Sequence, residues 1–177
     1  LHAWVFSPPL FPILVLIFLR FVGRHTYSRF IPIYFDDLGF SEGHIGILRS
    51  FRSGASAALM LLSGALADKI GRRPLLLFAV FCAGLEPFLL YWEPGFIFAF
   101  FIYLVGSMGW GVFIPAARAV IADLSKKTDR GGAYGSMSSA MLLGISIGPI
   151  MGGVIADALG FRFNLLLSTA VLGIILV

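Results

Sequence analysis

The chain has 177 residues, 59% hydrophobic and 12% charged, with a mean hydropathy of +0.96 and a formal net charge of +4. Soluble domains carry about 25% charged residues, so a chain with half that share has apolar surface that must face lipid, and a water-soluble globule is excluded. The single cysteine, Cys82, allows no internal disulfide, and His2, His25 and His44 stand too far apart to suggest a metal site, so no metal and no cofactor is predicted.

A hydrocarbon core of about 30 Å takes about 20 residues of helix. Six segments bounded by short charged or glycine-containing turns are predicted to span it: 10–35, 44–67, 74–92, 96–123, 132–156 and 161–177. The chain opens on Leu1 and stops inside an apolar run, so residues 1–177 are expected to be a piece of a longer protein, truncated in the sixth helix. The run LFPILVLIFL has no basic segment before it and no small-residue cleavage site after it, and reads as part of a spanning helix.

The first segment carries Arg20 and Arg24, four residues apart and therefore on one helical face near mid-membrane. A charge at that depth must face a cavity or a partner, and two stacked cations invite an anion; snorkelling, or pairing with residues outside this chain, is the competing explanation. Arg29 lies nearer the interface, within reach of Asp36 or Asp37. In the second segment Arg49 and Arg52 lie at a depth matching Glu86 of the third, about 10 Å below the surface by helical rise. An Arg52–Glu86 pair is expected to neutralise buried charge, with proton coupling as its other use.

Tyr91, Trp92 and Tyr103 read as aromatics at or near the membrane interface. In the fourth segment Trp110 and Phe113 are expected to pack between helices rather than line a cavity, and Arg118 is placed to face a cavity or to join Asp68 and Asp123. The fifth holds GISIGPIMGG, in which Gly144, Gly148, Gly152 and Gly153 form a small-residue face that lets backbones approach, while Pro149 removes a hydrogen bond and bends the helix.

Lys69, Arg72, Arg73, Lys126, Lys127 and Arg130 crowd into the turns after the second and fourth segments, whereas the turns after the first and third hold acids and no lysine or arginine. Cations mark the cytoplasmic side, so the N-terminus is predicted to be cytoplasmic. The positive charge thus reports topology, and no nucleic-acid partner is expected.

GALADKIGRR at 64–73 recurs in degraded form as GVIADALGFR at 153–162. The offset spans three helices, an odd number, so the second copy faces the opposite side and should lose cations; Lys69 has become Ala158 and Arg72 has become Phe161.

GALADKIGRR resembles the signature G-x-x-x-D-[RK]-x-G-[RK]-[RK] that follows the second helix in major facilitator transporters, and GISIGPIMGG resembles the antiporter motif G-x-x-x-G-P-x-x-G-G of their fifth helix. PAARAVIADL and DRGGAYG look like the same family's passage from the fourth helix into the fifth. The resemblance implies an all-α membrane protein whose six transmembrane helices form two inverted three-helix repeats, the N-terminal half of a twelve-helix fold. It implies that Gly64 allows close packing, that Asp68 docks against the other half, and that Arg72 pairs with an acid at the inner end of the fourth helix, where Asp123 stands. With Lys69, Gly71, Arg73 and Arg130 these residues would form a gate, ion pairs at helix ends that hold one arrangement and release another; a merely charged turn is the plainer alternative. One feature departs from the pattern: drug-efflux members typically carry an arginine early in the fourth helix, and LVGSMGWG has none.

The implied function is secondary transport of a small solute by alternating access, with proton-coupled antiport as one form of it, and with the bilayer and a C-terminal six-helix half as partners. Arg20, Arg24, Arg52, Glu86 and Arg118 are the candidate substrate or coupling residues. A non-transporting scaffold or receptor that keeps the fold is the alternative. An enzyme is not expected, because no acid pair, nucleophile with base, or metal set falls at useful helical spacing.

Overall fold

The computed structural model describes residues 10–176, and these form eight α-helices with no strand among them. They are α1 (Leu10–Ser28), α2 (Ile31–Asp37), α3 (Glu42–Ile70), α4 (Arg72–Leu90), α5 (Phe96–Gly111), α6 (Phe113–Leu124), α7 (Arg130–Leu159) and α8 (Phe161–Ile174). Five stretches are long and apolar enough to cross a membrane: Leu10–Asp37, Glu42–Ala67, Arg72–Leu90, Phe96–Leu124 and Arg130–Leu159; Phe161–Ile174 is a shorter apolar helix.

Two expected single helices are broken, each for the same reason. The first segment parts at Arg29 and Phe30, just before Pro32 near the start of α2, and the fourth parts at Val112, three residues before Pro115. Proline has no N–H to give the carbonyl four residues back, so Ser28 and Gly111 lose their helical partners and the chain re-enters the helix at a slight turn. Pro87 and Pro149 sit inside α4 and α7 without ending them. Helix α3 begins earlier than the expected 44 because Ser41 caps it, its side chain accepting from the His44 N–H at 3.3 Å, with Glu42 in the first turn.

Gly71 and Gly160 join α3 to α4 and α7 to α8 with the same backbone, φ +95° and ψ 153° in one and φ +85° and ψ 156° in the other, a region only glycine occupies readily. Each N–H closes the preceding helix on an equivalent carbonyl, Ala67 at 3.0 Å and Ala156 at 2.9 Å. The repeated motif therefore makes the same turn twice.

Helix α1 lies along α7, with α8 against both, while α5 packs between α3 and α4. The α1–α7 contact is made by the glycine face. A side chain at Gly144 would put its Cβ 2.6 Å from the Phe21 Cβ, one at Gly148 would come within 2.8 Å of the His25 Cβ, and one at Gly152 would overlap the Thr26 carbonyl oxygen. Glycine every four residues thus brings the two backbones together over about two turns. Asn164 of α8 closes this joint, donating to the carbonyls of Thr26 at 2.9 Å and Gly152 at 3.2 Å.

The core is divided. One apolar cluster, including Ile17, Phe21, Ala79, Phe113 and Ile121, fills the end that carries the basic turns; another, including Tyr27, Phe35, Leu48, Leu90 and Ile102, fills the opposite end. The level between them is where α1, α3 and α4 place Arg20, Arg24, Arg52 and Glu86. Coverage is uneven as well: of an 18-residue apolar window, 56% is buried in Leu10–Asp37, Arg72–Leu90 and Phe96–Leu124, against 11% in Glu42–Ala67 and 17% in Arg130–Leu159.

Candidate functional site

Glu86 is the centre of the polar level. Its carboxylate is fully buried and accepts from both terminal nitrogens of the Arg52 guanidinium, one of them at 2.8 Å, and from Arg24 at 3.1 Å. The space for it comes from Gly106 of α5, where any side chain would collide with the carboxylate. Each arginine is also backed by an aromatic face, Arg24 by Trp110 at 5.2 Å and Arg52 by Tyr103 at 5.0 Å. Two guanidiniums share one carboxylate, so the cluster keeps one net positive charge at a depth where charge is costly.

Arg20 does not join this cluster, although it stands one turn from Arg24. It is wholly buried, donates to the Gly109 carbonyl at 2.8 Å and lies over the Phe113 ring at 4.6 Å. Its Nε and second terminal nitrogen have no hydrogen-bond partner among the described residues. The expectation that Arg20 and Arg24 act as one stacked pair is therefore corrected: a rotation of about 40° per four residues sends Arg24 to a cavity and Arg20 into the helix packing.

That cavity has a volume of about 560 Å³ and lies between α1, α3 and α5. Its wall includes Arg24, Arg29, Arg49 and Arg52, with His25 and the hydroxyls of Ser28, Ser53 and Ser56, and its apolar lining includes Ile31, Ala57, Met60 and Trp110. Arg29 forms no ion pair with Asp36 or Asp37 among the described residues; it faces the cavity instead. Tyr103 is buried against Arg52 and lines the cavity, and Trp110 lines the cavity as well as packing on Phe21. The sequence signal for these was weak, because depth and spacing do not reveal which way a helix is turned.

At the basic end, Arg72 forms an ion pair with Asp123 and donates to the Ala119 carbonyl at 3.2 Å. Lys69 and Arg73 are exposed and unpaired among the described residues, and Arg130 donates to the Ala122 carbonyl at 3.4 Å. Asp68 lies within α3, but its side chain is outside the described residues. Among the described residues Gly64 has no atom within 4 Å of where a Cβ would stand, so the close packing expected of it is not made by them; Gly153 meets the Phe30 ring at 3.7 Å. Arg118 joins neither Asp123 nor the polar level. It lines a second cavity of about 620 Å³ with Tyr134, Met137, Ser138 and Met141. At the other end Arg162 pairs with Glu93 and covers the Tyr91 ring at 5.8 Å. Among the described residues no three His, Cys, Asp or Glu side chains converge as a metal site would require.

The model of the Major Facilitator Superfamily matches residues 13–177. The chain belongs to that family. This superfamily chain is 26% identical over 141 residues to the quinolone resistance protein NorA of Staphylococcus aureus, an alignment covering 80% of the chain and 36% of NorA. It is 31% identical over 142 residues to the multi-drug resistance efflux pump PmrA of Streptococcus pneumoniae, covering 78% of the chain and 35% of PmrA. The chain thus spans about a third of the length of these relatives. Membership and five membrane-length apolar helices make it an integral, multi-pass membrane protein.

Proposed function

We propose that this chain is the N-terminal half of a secondary transporter that moves a small organic solute across the membrane by alternating access, in exchange for protons. The observation that carries the reading is the polar cavity walled by α1, α3 and α5, set among membrane-spanning helices of a major facilitator protein. Efflux is the direction favoured by the names of NorA and PmrA, and antiport by the GISIGPIMGG motif.

In this reading six helices form two inverted three-helix repeats, supported by the matching turns at Gly71 and Gly160. The N-terminus is cytoplasmic, since the basic turns share one end of the bundle. The thinly covered faces of α3 and α7 meet a C-terminal half, and Asp68 docks against it. The Arg72–Asp123 pair is part of the gate, holding α4 to α6 in one state and parting in another.

The test is flux through the full-length transporter in proteoliposomes with an imposed pH gradient. Gradient-driven movement of one solute class, abolished by Asp68→Asn with insertion intact, is the expected result. Normal flux through Asp68→Asn removes the gate; correct insertion with no flux of any class favours a scaffold or receptor.

A further inference from the structure

We infer that the cavity between α1, α3 and α5 binds an amphipathic organic anion, its acid group held by Arg29 and Arg49 and its apolar body resting on Ile31, Ala57, Met60 and Trp110. This rests on the transporter reading and names its substrate class.

The argument is one of charge. Four guanidiniums, Arg24, Arg29, Arg49 and Arg52, line the cavity, and among the described residues no carboxylate lines it; Glu86, buried behind the wall, pairs with Arg24 and Arg52. The surplus is three positive charges. Arg24 and Arg52 are held in place by Glu86, Trp110 and Tyr103, so they fix the potential of the cavity without being free to turn toward a ligand. Arg29 and Arg49 are different: both are exposed to the cavity and form no ion pair among the described residues. Guanidiniums present donors in a fork that matches a carboxylate or phosphate. In a membrane-depth cavity with low-dielectric walls, such a surplus concentrates anions and repels cations.

The cavity is also not a mere ion site. The lining from Arg49 to Met60 follows α3 for about 16 Å by helical rise, long enough for an acid head and a ring system. Its hydroxyls, Ser28, Ser53 and Ser56, sit among the arginines and can donate to the same acid group. An inorganic anion would leave the apolar lining unused, whereas an aryl carboxylate meets both parts.

The experiment uses the full-length transporter carrying this chain, purified in detergent and reconstituted in phosphatidylcholine vesicles. Thermal stabilisation and uptake are measured with three probes of one shape: 1-naphthoate, its methyl ester, and (1-naphthylmethyl)trimethylammonium. The expected result is stabilisation by 1-naphthoate above the other two. Arg29→Gln and Arg49→Gln should each weaken it about tenfold, the loss of a charge-assisted hydrogen bond, and the lysine variants should retain most of it. Both arginines are exposed, so the fold survives the changes. Binding of naphthoate that the glutamine variants weaken, with no flux of any probe or other solute class under an imposed pH gradient, keeps this inference and overturns the transport reading. Uptake of the ammonium probe, with no naphthoate binding and no effect of either glutamine variant, overturns this inference and leaves the transport reading intact.

Discussion

Glu86 and Asp123 are both carboxylates that meet arginines across helices, but Glu86 is fully buried between two apolar clusters and the Asp123 side chain is 57% exposed at the bundle's basic end. The same pairing chemistry does different work at the two depths. At the buried level, removing Glu86 would leave the two guanidiniums that share it without a counter-charge, so the pair is costly to break. At the rim water competes for each partner, the pair adds little stability, and it can open and close at small cost, which is what a gate needs.

The largest effect that this contrast predicts is at Glu86. Glu86→Gln strands Arg24 and Arg52 without a counter-charge and should cost about 3–5 kcal/mol in the unfolding of the full-length protein in detergent. An unchanged melting transition would mean that the two arginines are neutralised from elsewhere, and the depth argument would fail. Next comes a contact with no charge in it. Gly148→Leu drives a side chain into the Val22 carbonyl, 2.9 Å from the built Cβ, and should cost about 1–3 kcal/mol by overpacking. Gly64→Leu, where the space is open within this chain, is the control and should stay within about 0.5 kcal/mol; a large loss there would reveal a neighbour supplied by the rest of the protein.

At the rim the order of effects reverses between stability and function. Arg72→Gln should shift stability by about 0.2–1 kcal/mol, while transport by the full-length protein falls far more than so small a change explains. Exchanging the pair, Arg72→Asp with Asp123→Arg, should recover part of the flux; a double-mutant cycle showing no coupling would end the case for this pair as a gate. The smallest effect is expected at Arg162→Gln, whose partners Glu93 and Tyr91 lie at the exposed opposite end: about 0.5 kcal/mol or less by the same melt.

Much of this was legible along the chain. Arg72 and Asp123 could be paired because a full motif match fixed their ends of the bundle, and Arg52 and Glu86 because they lie at equal depth; that Arg24 also reaches Glu86 and Arg49 does not was left to the packing. The roles of Arg29, Tyr103 and Trp110 were not legible, since each was judged by its depth alone and its facing depends on the helix it packs against. The proline breaks before Pro32 and Pro115 were visible as residues, but Pro87 and Pro149 leave their helices intact, so proline by itself does not say which helix divides.

The sequence by itself determined that the chain lives in lipid, roughly which stretches cross it, and which turns are basic, because hydropathy, helix length and charge bias are set by the solvent and read along one dimension. Tertiary structure alone decided that Arg24 reaches the cavity while Arg20, four residues away, is sealed against Gly109 and Phe113. The physical reason is rotation. A turn of about 40° about the helix axis separates those two side chains, and only the packing of α1 against its neighbours fixes which of them faces the open space.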